Sequence, residues 1–332
     1  TILCAAPEVD MVLTIFTATL VADSSAAMDA VAQAARESTK PLVATQVGAP
    51  PRSISVPGGA GAVPVFTFPE PAVRALAVVA RYARIRAKTT GELTRPANVD
   101  RDRTRALVRD RLARGAGWLG ADDAIELLTG YGIATCPQRV VADAEAAVRA
   151  AHELGYPLAL KVAAGVVHKS DIGGVRLGID SEPELLRAFD LVRAAGPPGG
   201  KVLIQPMIAA GTELIVGALQ DPQFGPVVMV GAGGVLADMI GDRQLRLAPI
   251  TVDEAQDMIS GLRTAPLLDG YRGRPVVSRA AVAELLTRVA LLAEEVPEIA
   301  ELDLNPVICE GERVLVVDAK VRLAPAVAGR DP

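Results

Sequence analysis

The chain has 332 residues, half of them hydrophobic and only 3% aromatic, which is enough material for two or three cores built from Ala, Val, Leu and Ile. A net charge of −5 of mixed sign, with no basic stripe, leaves no case for nucleic acid as a partner. Cys4, Cys136 and Cys309 lack C-x-x-C spacing, so neither zinc nor a disulfide framework is suggested.

No apolar run reaches the length of a membrane span, and Asp10 and Asp23 break the first apolar stretch, so no membrane and no signal peptide are read. The expected location is a reduced cytoplasm. The chain opens on Thr1 a few residues before a strand, which reads as the interior of a longer protein.

In chain order, Met11 to Phe16 predicts a buried parallel strand, about Ala26 to Arg36 a helix, and Pro41 to Gln46 a second strand. The Pro/Gly-rich Gly48 to Gly61 predicts a loop, Pro64 to Phe68 a third strand, and Glu70 to about Lys88 a helix. This β-α-β-β-α pattern describes part of a flavodoxin-like α/β domain, residues 1–88, without a Gly-rich phosphate turn. Residues 89–118 read as a linker and an Arg-rich helix whose interleaved Asp100, Asp102 and Asp110 make a salt-bridged solvated face rather than a basic patch.

Residues 119–323 change character. Helices are expected at Ala121 to Tyr131, Glu145 to Leu154, Pro183 to Ala195, Val252 to Leu262 and Ala280 to Glu295. Between them run L-A-L-K-V, V-R-L-G-I, V-L-I-Q-P-M, E-L-I-V-G-A-L, P-V-V-M-V, D-L-N-P-V-I and R-V-L-V-V-D-A-K. Strands in hairpin order between helices predict two α+β lobes, about 119–200 and 201–323, followed by a tail at 324–332.

Lys161 is the first residue that points to chemistry. In Leu158-Ala159-Leu160-Lys161-Val162 the leucines and valine share one strand face, and Lys161 projects from the other. A cation there suits a nucleotide phosphate; a lysine snorkelling to solvent is the alternative. The following loop, through His168-Lys169-Ser170-Asp171-Ile172-Gly173-Gly174, favours the phosphate. Gly173 and Gly174 permit a tight hairpin and close backbone approach, Ser170 and backbone amides donate, and Lys169 neutralises charge. An ordinary polar hairpin is the alternative here.

Val202 to Met207 reads as a strand stopped by Pro206. The segment around Gln205 offers backbone groups to an adenine edge, with Met207 packed on the ring; a core strand ending at a turn is the alternative. Glu213, the only acid of E-L-I-V-G, is in reach of a ribose or a phosphate-bound metal. Gly231-Ala232-Gly233-Gly234 after a strand is a weak dinucleotide signal without the required acid, and leaves space for a substrate-side loop. At the end, Asp303-Leu304-Asn305-Pro306 and Val316-Val317-Asp318-Ala319-Lys320 form a hairpin that brings Asn305 and Asp318 together. One amide oxygen and one carboxylate, completed by phosphates and water, make a Mg²⁺ site; a purely structural Asn-Pro turn is the alternative.

The joint occurrence of G-Y-P-L-A-L-K-V, H-K-S-D-I-G-G-V, F-G-P-V-V-M-V-G, R-L-A-P-I, D-L-N-P-V and V-V-D-A-K over about Leu119 to Leu323 resembles the ATP-grasp domain of ADP-forming acyl-CoA synthetases, relatives of the succinyl-CoA synthetase β subunit. The resemblance implies ATP/ADP and Mg²⁺ as cofactors, Lys161 as the phosphate-contacting lysine, and Asn305 and Asp318 as metal ligands. Arg246, in R-L-A-P-I, joins the nucleotide-binding set. His168 occupies the slot of a second phosphohistidine that passes phosphate to a relay histidine on another domain. His152, the other histidine, reads as a surface residue.

The implied reaction is carboxylate + ATP + CoA ⇌ acyl-CoA + ADP + phosphate. It needs a CoA-binding domain and a phosphohistidine-bearing domain, neither of which is legible in these residues, together with a small carboxylic acid and an oligomeric assembly. Two rivals keep the fold: a ligand-sensing module fused to a protein lysine acetyltransferase, and a relic that binds no nucleotide. Joint retention of Lys161, His168, Asn305 and Asp318 argues against the relic.

Overall fold

The structure is a computed structural model that describes residues 1–17, 24–56, 58, 61–87, 91–93, 95–163, 173–234, 241–273 and 275–326. The chain forms two compact units, 1–89 and 90–332.

The first unit contains α1 (Ile2–Ala5), β1 (Val12–Thr17), α2 (Ser24–Glu37), β2 (Leu42–Val47), β3 (Arg52–Ser55), β4 (Ala62–Phe66) and α3 (Pro69–Ala87). Its sheet has the order β1-β2-β4-β3, with β1, β2 and β4 parallel. The β2 strand is central, so Val43, Ala44, Thr45 and Gln46 are buried on both faces, as parallel strands require. β3 lies inside the stretch predicted as loop. It pairs antiparallel with β4 at the edge of the sheet, which satisfies the backbone groups on that side although its sequence carries a weak strand signal.

The second unit contains α4 (Arg101–Arg114), β5 (Gly117–Trp118), α5 (Ala121–Gly130), β6 (Arg139–Val141), α6 (Ala144–Leu154), β7 (Leu158–Val162), β8 (Val175–Ile179), α7 (Glu182–Ala195) and β9 (Val202–Pro206). It continues with β10 (Thr212–Asp221), β11 (Gly225–Ala232), β12 (Arg243–Leu247), α8 (Val252–Ser260), α9 (Arg279–Glu295), β13 (Ile299–Glu310), β14 (Arg313–Val316) and β15 (Ala319–Leu323). Two sheets result: β6-β9-β7-β8, and β12-β11-β10-β13-β15-β5 with β14 also on β13. Two sheet-and-helix lobes form as expected, but the boundary differs from the expected 119–200: β5 pairs with β15, and Leu107, Leu127 and Leu128 of α4 and α5 pack into the core of the larger sheet.

Each sheet packs helices against one face. In lobe one, Leu158, Leu160, Val162 and Ile204 meet Leu185 and Phe189 of α7. In lobe two, Val216, Val228, Leu302 and Val321 share a core with Leu286 and Val289 of α9. Burying each such side chain contributes about 1.5–3 kcal/mol, which holds the helices on one face of each sheet. Local signals agree with the helix starts. Asp143 accepts from the Ala146 amide at α6, and Thr251 with Glu254 forms a capping box at α8.

Candidate functional site

The β7 strand separates its side chains as its period dictates: Leu158, Leu160 and Val162 enter the core, and Ala159 and Lys161 face the other way. Lys161 is only 9% exposed, which does not fit a lysine snorkelling to water. It stands opposite Leu203 of β9 and Val175 of β8. Gln205 stands opposite Ala159, so it is a diagonal neighbour of Lys161 on the same face.

Gln205 is buried and donates through Nε2 to Gln138 Oε1 at 3.0 Å and to the Val317 carbonyl at 2.9 Å. Both partners are acceptors there, so the amide orientation is fixed. Its Oε1 is buried with no hydrogen-bond partner. Nearby, the Cys136 amide donates to the Val316 carbonyl at 2.7 Å, and the Val316 amide to Ala134 O at 3.0 Å. Burial pushes the Cys136 thiol up to about 11, with the Lys161 charge pulling the other way. Residues 134–138, the end of β9 and residues 316–317 are therefore stitched together where lobe one meets lobe two.

Asp318 follows directly. The R-V-L-V-V-D-A-K segment, expected as one strand, is two: β14 and β15 both pair with β13, and Val317 and Asp318 form the break. The Val317 amide donates to Pro306 O at 3.0 Å, the Asn305 amide to Asp318 O at 3.1 Å, and the Ala319 amide to Asp318 Oδ1 at 3.1 Å. These bonds hold the Asn305 and Asp318 backbones together and set the Asp318 carboxylate against the Ala319 amide. Among the described residues no group of three or more His, Cys, Asp or Glu is arranged to hold a metal, so a metal here needs oxygens from a ligand.

The face of the large sheet opposite its core is ordered in rows. Leu245, Met229, Gly217, Asp303 and Lys320 lie opposite one another across five strands, and Leu247, Val227, Leu219, Glu301 and Arg322 form the next row. Burial pushes the Asp303 carboxyl above its ordinary range; Lys320 opposes this, and Asp318 and Glu301 reinforce it. Glu213 is the second residue of β10, with Gly233 against its backbone. The Gly233 amide donates to Glu213 O at 2.8 Å, and a Cβ at Gly233 would lie 2.8 Å from the Glu213 carbonyl carbon.

Other expected residues fall as follows. The Met207 amide donates to Pro157 O at 2.8 Å, leaving its side chain 37% exposed beside the end of β9. Gly173 has φ 71°, and the Gly174 carbonyl accepts from the Val162 amide at 2.9 Å, which returns the chain beside Lys161. Arg246 stands opposite the core residue Val228, on the face away from Asp303 and Asn305, so the structure does not bring it to this group. His168, Lys169 and Ser170 lie outside the described residues. Gln138 escaped the sequence reading because its partner is 67 residues away. Asp303 was visible in principle, since it alternates with Asn305 on one strand face.

Two α+β lobes joined beside a lysine-bearing strand define an ATP-grasp fold. A family model described as ATP-grasp domain matches residues 110–323. The chain is 38% identical over 208 residues to the acetate–CoA ligase [ADP-forming] I subunit beta of Pyrococcus furiosus, a match that covers 60% of this chain and 90% of that subunit. It is 37% identical over 271 residues to acetate–CoA ligase [ADP-forming] I of Archaeoglobus fulgidus, covering 80% of this chain but 39% of that relative's length. The structure also resembles acetyl-coenzyme A synthetase 1 of Ca. Korarchaeum cryptofilum in complex with coenzyme A and Mg-AMPPCP, with TM-score 0.60, 36% identity, and coverage of 67% of this chain and 100% of that one. The chain thus belongs to the ATP-grasp domain family, in the branch found in ADP-forming acetate–CoA ligases.

Proposed function

We propose that this chain supplies the nucleotide-binding half of an ADP-forming acyl-CoA synthetase that converts carboxylate, ATP and CoA to acyl-CoA, ADP and phosphate through an acyl phosphate and phosphohistidine. The observation that carries this reading is the buried Lys161, on the same sheet face as Gln205, whose amide reaches the carbonyl next to Asp318. In the Korarchaeum relative the nucleotide analogue is a magnesium complex, and a phosphohistidine segment points towards the nucleotide-binding site.

Lys161, with Lys169, Ser170, Gly173 and Gly174, would hold the phosphates. The strand end at Gln205 and Met207 would meet the base, and Glu213 the ribose or the metal. Asn305 and Asp318 offer one amide and one carboxylate oxygen, hard donors that fit Mg²⁺. Bound there, Mg²⁺ would neutralise charge on the phosphate oxygens. Lys161 orients the phosphoryl group and stabilises its developing charge, a task of positioning and electrostatics. His168 would accept the phosphoryl group, and CoA, the carboxylic acid and the first relay histidine would sit on partner domains. A cytoplasmic oligomer completes the reading; no helix among the described residues is long and apolar enough to cross a membrane.

Thermal shift with ADP tests the site. Ligand at 100-fold over its Kd adds about 2.7 kcal/mol of stability. ADP is expected to raise Tm strongly with Mg²⁺ and weakly in EDTA, and Asp318→Ala to remove most of the Mg²⁺ increment. Equal stabilisation in all four conditions would sink the assignment.

A further inference from the structure

The turn that carries Asp318 is not held by lobe two alone. A chain of side-chain amides ties it to β9 of the smaller sheet. Gln138 Nε2 donates to the carbonyl of Ala121, the first residue of α5, at 3.4 Å. Its Oε1 accepts from Gln205 Nε2 at 3.0 Å, and the same nitrogen donates to Val317 O at 2.9 Å. Val317 in turn donates to Pro306 O at 3.0 Å, beside Asn305. Gln205 therefore spends both amide hydrogens on its two acceptors.

The buried Oε1 of Gln205 has no partner, which a glutamine present only to fill a core would not tolerate. Its orientation persists because turning the amide over would set Oε1 against two other acceptors. We infer that Gln138 is a positioning residue: by accepting from Gln205 it fixes the amide that holds the Val317 carbonyl, and so presents Asp318 and Asn305 to a nucleotide-bound divalent cation. The inference rests on the proposed metal turn and assigns a role to a residue outside it.

Gln138 is half-buried at the rim, so substitution there is tolerable to the fold. ADP affinity of the full chain is measured by calorimetry with Mg²⁺ and with EDTA, in wild type, Gln138→Glu and Gln138→Leu. Glutamate keeps the acceptor facing Gln205 and gives up only the long 3.4 Å bond to Ala121 O; leucine removes the acceptor. Gln138→Leu is expected to reduce the Mg²⁺-dependent gain in ADP affinity by roughly 3- to 10-fold, the worth of one ordinary hydrogen bond. Gln138→Glu should retain that gain.

Equal gains in wild type and Gln138→Leu would overturn the inference, and so would an equal loss in Gln138→Glu. Absence of any Mg²⁺ gain in wild type would overturn the metal reading instead. If Gln138→Leu aggregates, Gln138→Lys, which presents donors to Gln205 in place of the acceptor, is expected to lose the gain as well.

Discussion

At the scale of single residues, Lys161 decides most. A lone lysine on a strand is ordinary; this one is 9% exposed and lies on the face opposite Leu158 and Leu160, outside the apolar cluster, where we propose it meets a phosphate. Lys161→Ala is therefore expected to leave the fold intact, because its side chain is not part of the apolar cluster that holds β7 against α7. A charge-assisted contact to phosphate is worth about 1.5–3 kcal/mol, on the order of tenfold to a hundredfold in affinity. Calorimetry with MgADP on the folded variant checks this, and unchanged affinity would return Lys161 to a packing role. The face of Lys161 was legible in the sequence because a strand has period two. The face of Arg246 was not, since it depends on how β12 registers on β11, a contact that no spacing within R-L-A-P-I reveals.

At the scale of elements, strongly periodic segments were readable and short ones were not. The helices of lobe two and the L-A-L-K-V strand follow from their apolar pattern. β3, β5 and β6 are so short that tertiary pairing alone makes them strands. The break between β14 and β15 also lay beyond the sequence, because it comes from the Val317 amide bonding to Pro306 and not from any turn residue.

One element contact has a pH signature. Glu295, at the end of α9, accepts from Arg101 of α4 at 2.7 Å and from the hydroxyl of Tyr131, just past α5, at 2.9 Å. Burial raises the Glu295 carboxyl, but the two hydrogen bonds outweigh it and hold it below its ordinary range. A depressed carboxyl contributes stability above its unfolded pKa and loses it as pH falls through the folded one. Tyr131→Phe is expected to cost about 1 kcal/mol at neutral pH by removing one donor from this half-buried carboxylate. It should also shallow the acid limb of the stability curve. Urea melts at neutral pH and below pH 4 check both, and a penalty that is the same at every pH would refute the linkage.

At the scale of the whole molecule, the family match at 110–323 lies wholly within the second unit, and the Archaeoglobus relative matches a larger share of the chain than that unit provides. The match to a relative that exists as a subunit, 90% covered, fits a nucleotide-binding body working beside other domains. On the proposed reaction, a phosphoryl group taken from ATP would have to travel to CoA chemistry on another domain, and a histidine is the side chain suited to carry it. We propose His168, which follows the Lys161 strand and precedes the Gly173–Gly174 turn, as that carrier. The γ-phosphorus–oxygen bond breaks, a nitrogen–phosphorus bond forms on His168, and ADP leaves. With the CoA-binding and phosphohistidine-bearing regions supplied, γ-labelled ATP is expected to give acid-labile, base-stable label on this chain. His168→Ala should lose that label while keeping MgADP affinity, which separates a covalent carrier from a residue that only touches phosphate. Label that persists on this chain in His168→Ala would rule the relay out.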